Sequence, residues 1–270
     1  MRGPLLLGAL ALGSLIAGSD PSKFSLEEKE QFLKDAKVVE SKELSVGVTN
    51  SRKGVMVRES DGLRHDIHIQ TVNISKAEFE GTRGKEINFR DKYQFNIAAY
   101  ELDKLLGLNM TPPSVERKVG GSSAAITWWV DDVLMTELER TKQKKVDPPD
   151  PDSWNKQMYI VRVFDQLIYN TDRNLGNLVI TKDWKIWMID HTRGFRIMRT
   201  ILAPVNLVKC DRKLLARLRE LSKDEVKQKM KGWLTGMEID GLMARRDLIV
   251  KFFDEQVKKK GEAAVLYDYL

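Results

Sequence analysis

Cysteine is nearly absent from this chain. Its 270 residues contain one, Cys210, which excludes an intrachain disulfide and a zinc-thiolate site. Histidine is almost as scarce: His65, His68 and His191 are the full set. The first two fall three apart on an expected strand, so they face opposite ways, and histidine-held zinc chemistry is disfavoured. No excess of one charge stands out either. Lys plus Arg number 45 against 39 Asp plus Glu, a formal charge of +6 with the two signs interleaved. That pattern lacks the concentrated basic face of a nucleic-acid binder. The longest uncharged apolar stretch, within residues 5–17, is short for a membrane span. What remains, 42% hydrophobic and 31% charged, is the balance of an ordinary globular protein of one or two domains.

Residues 1–19 carry Arg2, the apolar stretch and small residues up to Gly18 and Ser19. These are the parts of a secretory signal peptide. The expectation is an exported protein with no transmembrane span after signal removal. It would be periplasmic or extracellular in a bacterium, or in the secretory pathway of a eukaryote. The lack of disulfides is more ordinary for a bacterial exported protein.

Beyond the leader, residues 23–39 suit a short amphipathic helix. Residues 44–49 and 55–58 read as strands around a polar turn at 50–54 that holds Arg52, Lys53 and Gly54. A third strand runs through Ile67, Ile69 and Thr71. Residues 93–106 have helical spacing and stop at Gly107; strands are expected near 112–117 and 124–130. Pro148, Pro149 and Pro151 mark a polar connection. After it come a helix at 153–169, a hairpin over 178–181 and 185–189, and helices at 212–221, 224–234 and 242–260. The resulting expectation is an α+β fold in two lobes. Residues 20–127 form a β-rich N-lobe, 128–152 a hinge and linker, and 153–270 a mostly helical C-lobe.

One constellation carries chemistry. Asp172 lies in a loop after a helix, with Asn177 five residues on and Asp190 delivered back by a short hairpin. This is the spacing of a kinase catalytic loop. Phosphoryl transfer needs a carboxylate to orient the attacking hydroxyl, here Asp172. It also needs oxygen ligands for a divalent ion against the phosphates, here Asn177 and Asp190. Such donors suit Mg²⁺ or Mn²⁺. Each residue alone has a plainer reading, as a salt bridge, turn or strand-end cap; together they favour catalysis.

Asp165, Asp172-Arg173 and Asp190-x-x-Arg193-Gly194-Phe195 resemble the Golgi casein kinase and xylosylkinase family of atypical secretory-pathway kinases. Upstream, residues 96–107 (Asn-Ile-Ala-Ala-Tyr-Glu-Leu-Asp-Lys-Leu-Leu-Gly) and 112–117 (Pro-Pro-Ser-Val-Glu-Arg) resemble that family's N-lobe helix and the strand after it. Phosphoinositide-kinase-like and HipA-toxin-like kinases are more distantly similar. The resemblance spans roughly residues 90–220. It implies a bilobal kinase-like fold, ATP with Mn²⁺ or Mg²⁺, and a protein or carbohydrate hydroxyl as acceptor. Arg173 and Arg193 would support the two loops.

Two positions depart from the family pattern. Gln70 stands where a kinase has its phosphate-pairing Lys, and Asn96 where it has the partner Glu. A neutral pair cannot supply the charge that lysine gives the phosphates. Lys53 and Arg52 are the candidate substitute cations, and Glu101 a candidate alternative partner on the helix. The alternative function is therefore a nucleotide-binding pseudokinase acting as a regulatory or binding module.

Overall fold

Ser25 and Glu28 close a capping box that starts helix α1 (Leu26–Asp35): each side chain satisfies a backbone N–H of the other's turn. The helix stops before strand β1 (Lys37–Glu43), so the expected helix over 23–39 is too long by its last residues. In this computed structural model, residues 20–44, 51–81 and 84–270 are described. The proposed leader, Gly47 and most of the expected strand 44–49 lie outside them.

Strand β1 pairs antiparallel with β2 (Arg52–Arg58). It is followed in the same sheet by β3 (Leu63–Gln70), β7 (Ser122–Trp128) and β6 (Ser114–Val119), in the order β1-β2-β3-β7-β6. One face is sealed by α1, with Phe32, Leu33, Met56, Ile67, Ile69, Ile126 and Trp128 buried together. Gly54 belongs to this packing and not to a turn. A Cβ there would lie 2.9 Å from Ile69 Cδ1 and 3.0 Å from the Glu40 carbonyl. Arg52 and Lys53 are likewise strand residues, correcting their expected place at a hairpin tip.

A separate hairpin, β4 (Asn73–Gly81) and β5 (Gly84–Lys92), stands between β3 and helix α2 (Gln94–Leu106). No pattern in the sequence had suggested it. Helix α2 ends at Gly107, whose left-handed φ of 66° closes the C-cap.

Strand β8 (Val133–Thr136) lies inside the expected linker and joins β9 (Leu178–Thr181) and β10 (Ile186–Met188) in a second sheet. Helix α3 (Pro151–Ile168) begins with Asp150 accepting from the Ser153 N–H. Behind it pack α4 (Arg212–Glu220), α5 (Lys223–Lys229) and α6 (Gly236–Lys260). Helix α5 is shorter than expected, while α6 starts earlier, at a second capping box between Thr235 and Glu238. The larger core runs from α2 through α3 to α6. The architecture is α+β, β-rich toward the N-terminus and helical toward the C-terminus. No described helix is long and apolar enough to cross a membrane.

Candidate active site

Helix α3 ends at Tyr169, which takes a left-handed φ of 54° and turns the chain into the loop carrying Asp172. Asp165, in the last turn of α3, anchors that loop. Its carboxylate accepts from Asn170 Nδ2 at 3.1 Å and from Arg173 Nε and Nη2 at 3.0 Å. Asn170 Oδ1 in turn accepts the Asp172 N–H at 3.0 Å. Arg173 reaches further. Its Nη1 donates to the carbonyls of Asn177, at 3.0 Å, and Ile189, at 2.8 Å. The Ile189 N–H also bonds the Asn177 carbonyl at 3.1 Å. One largely buried guanidinium therefore holds both the loop of Asp172 and Asn177 and the residue before Asp190. The Asn177 amide donates to the Asp172 carbonyl at 3.4 Å, leaving its own oxygen as an acceptor.

Asp190 follows with φ of 53°, and its side chain is exposed. Thr192 Oγ donates to Asp190 Oδ1 at 2.9 Å. The next residue is pinned from the other side, because Asn96 Oδ1 on α2 accepts the His191 N–H at 2.7 Å. Phe195 is fully buried, 5.5 Å from the Phe95 ring. Arg193 extends toward Asp172, at 3.7 Å, and toward Glu86 of the β4–β5 hairpin, at 2.5 Å. The structure thus brings Asp172, Arg173, Asn177, Asp190, Arg193 and Asn96 into one hydrogen-bonded group.

The remaining expected residues line the sheet above. Gln70 is buried at the end of β3, and its side-chain Oε1 accepts the N–H groups of Thr71 and Val72 at 2.9 and 3.1 Å. Lys53 pairs with Asp66 at 2.6 Å and lies 4.7 Å from the Trp129 ring centre. Beside it opens a recess of about 700 Å³ bounded by Lys53, Val55 and Asp66. Glu101 points elsewhere, to Lys104 at 2.7 Å.

Three participants carried no signal in the sequence. Glu86 bridges Arg193 and the buried Arg196. Asp91 is buried with its Oδ1 unpartnered. Burial raises its carboxyl above the usual value; the Thr192 hydroxyl opposes this and the nearby Asp190 charge reinforces it. His68 bonds Ser51 Oγ at 2.9 Å. Burial pulls it below the ordinary histidine value, while the Asp190 carboxylate pulls the other way.

The backbone matches that of a hydra Fam20 protein solved with sugar, at a TM-score of 0.65 and 16% identity. The match covers 90% of this chain and 92% of the other. It also matches the Golgi casein kinase with Mn and ADP bound, at a TM-score of 0.63 and 13% identity, over 91% of this chain and 81% of that one. The fold is that of an atypical kinase. Helix α2 meets the Asp190 segment through the Asn96–His191 bond and the Phe95–Phe195 ring contact. No protein-family model and no curated protein matches the sequence. The likeness to these solved structures is therefore one of backbone.

Proposed function

We propose that the protein is an exported atypical kinase that transfers the γ-phosphoryl group of ATP to a hydroxyl of a protein or carbohydrate. Residues 20–127 would form its N-lobe and 153–270 its C-lobe, joined by 128–152. The observation that carries this reading is the Arg173 guanidinium, which ties the Asp172–Asn177 loop to the backbone just before Asp190. A loop pair held this firmly keeps three oxygen donors in fixed relation before any substrate arrives.

The donor set suits a divalent ion. Asn177 Oδ1 and the exposed Asp190 carboxylate are hard ligands, and among the described residues no group of three or more His, Cys, Asp or Glu forms a closed cage. Mg²⁺ commonly takes one or two carboxylates and fills the rest of its shell with phosphate oxygens and water. When bound, the ion supplies charge neutralisation for the phosphates. Asp172 orients the acceptor hydroxyl and takes its proton. Arg193, between Asp172 and Glu86, holds the carboxylate in place. The recess beside Lys53, Val55 and Asp66 has room for a nucleotide.

A second reading rests on Gln70 and Lys53. Gln70 brings no charge, and Lys53 is neutralised by Asp66. The same fold then serves as a nucleotide-binding pseudokinase with a regulatory role.

The test is phosphate transfer from radiolabelled ATP with Mn²⁺ or Mg²⁺, using wild type, Asp190→Ala and Asp172→Asn, with thermal unfolding on the same samples. Metal-dependent transfer that both variants lose supports the kinase. Nucleotide-dependent stabilisation without transfer supports the pseudokinase. If neither nucleotide nor metal moves the unfolding curve of the folded protein, both readings fail.

A further inference from the structure

Leu63, Ile67 and Ile69 of β3 pack with α1, so the alternation of a strand turns Asp66, His68 and Gln70 to the opposite face of the sheet. At His68 that face is polar across four strands. His68 lies in register with Lys53 on β2 and with Thr127 on β7, and Thr127 in turn with Ser114 on β6. The Ser114 and Thr127 hydroxyls are hydrogen-bonded at 2.8 Å. A solvated outer face would be polar too, but Ser114 and Gln70 are buried and His68 is half-buried. The row begins at Lys53, which bounds the recess of about 700 Å³, and at His68 it comes within electrostatic reach of Asp190. Two neighbours of His68 are already engaged. Lys53 pairs with Asp66 at 2.6 Å, and Gln70 Oε1 accepts from the Thr71 and Val72 N–H groups. The His68 ring is held at one nitrogen: Nε2 lies 2.9 Å from Ser51 Oγ, and Nδ1 has no hydrogen-bond partner among the described residues.

We infer that His68 is the phosphate-binding residue of the sheet, donating from Nδ1 to a phosphate oxygen of the bound nucleotide. The inference rests on the nucleotide reading above, in either its kinase or its pseudokinase form. Burial holds the imidazole below its ordinary value against the pull of Asp190, so the ring is uncharged at neutral pH. With Ser51 Oγ donating to Nε2, the one ring proton sits on Nδ1. A hydrogen bond to an ionised oxygen is shorter and stronger than one between neutral groups. His68 thereby does part of the work of the lysine that Gln70 replaces, and it does so one side chain away on the same face of the same strand.

The experiment titrates the whole protein with Mg-ADP and, separately, with adenosine by calorimetry, using wild type, His68→Gln and His68→Asn. Melting curves without ligand verify that each is folded. A glutamine amide stands where Nε2 was and keeps Ser51; an asparagine amide stands where Nδ1 was and keeps the donor. The expected result is a Kd for Mg-ADP about tenfold higher in His68→Gln, the loss of one hydrogen bond to a charged group. His68→Asn should stay near wild type, and adenosine affinity should be unchanged in both variants. Nitrogen NMR of wild type with isotope-labelled histidine gives a readout that needs no variant. The chain has three histidines, and Mg-ADP should shift the His68 Nδ1 resonance. The inference is overturned if wild type binds Mg-ADP and folded His68→Gln binds it equally well, or if the Nδ1 resonance does not respond. An equal loss of adenosine affinity also overturns it, by assigning His68 to the base. Should His68→Gln not fold, the resonance decides the matter. If wild type binds no Mg-ADP, the nucleotide reading itself fails and this inference with it.

Discussion

Asn96 on α2 accepts the His191 backbone N–H through Oδ1 at 2.7 Å, across 95 residues of sequence. The helix of the β-rich half thereby fixes the backbone next to Asp190. Replacing Asn96 with Ala leaves a buried N–H without its acceptor, which costs about 1–3 kcal/mol. The expected outcome is a Tm lowered by several degrees and a larger proportional loss of any phosphate transfer, read on the same preparation. Unchanged transfer in a destabilised variant would sink the positioning role.

Arg173 and Asp165 are both largely buried, with side chains 12% and 9% exposed. Asp165→Ala strands the guanidinium without its carboxylate, and breaking such a pair costs about 3–5 kcal/mol. Denaturant unfolding should show that loss. Arg173→Lys keeps the charge but cannot reach Asp165 and two carbonyls at once. It should lower transfer while leaving the protein folded by circular dichroism.

Glu86 restrains Arg193 from closing on Asp172, which already lies 3.7 Å from it. Glu86→Gln frees the guanidinium to move toward the Asp172 carboxylate and also weakens the hold on Arg196. In steady-state transfer assays, kcat should fall by about tenfold, equivalent to roughly 1.4 kcal/mol. KM for ATP should stay near wild type. An equal change in both parameters would assign Glu86 to nucleotide binding instead.

Acid stability has identifiable sources. Burial opposes ionisation of Glu30, yet Lys34, Lys104 and Tyr100 hold its carboxyl down to about 2 from an ordinary 4.5. Asp131 behaves alike: burial opposes, while His65, Trp128 and Lys29 bring it from 3.8 to about 2. Folded values below the unfolded ones mean that this stability is fully present above the ordinary carboxylate range. It is lost as pH falls toward 2. Melting curves between pH 7 and 2 should fall steeply below about pH 4.5. Glu30→Gln should start lower at pH 7 and decline less. A parallel decline in the two proteins would contradict the assignment.

Much of the site was legible in the sequence because its parts are local. A helix, a loop with Asp172 and Asn177, a two-strand return and Asp190 are separated by short spacings, and each element has its own periodicity or cap. Helix α3 and the β9–β10 hairpin fall where the apolar spacing puts them, and Gly107 ends α2 as its position suggests. The place of Lys53 is less local. Its neighbour Gly54 suggested a turn, but packing against Ile67 and Ile69 makes that glycine a strand residue.

The sequence by itself determined the α+β class, the order of most elements and the grouping of Asp172, Asn177 and Asp190, since these depend on neighbours in the chain. Only the tertiary structure decided what meets that group from afar. The β4–β5 hairpin shows no apolar alternation; Ile74 and Ile87 are exposed, and Phe89 packs under Arg193 and Arg196. It is tied by ion pairs from Glu86 and by a hydrogen bond at the Asn88 carbonyl to arginines more than 100 residues away. The Asn96–His191 bond arises in the same way, from partners that no spacing along the chain encodes.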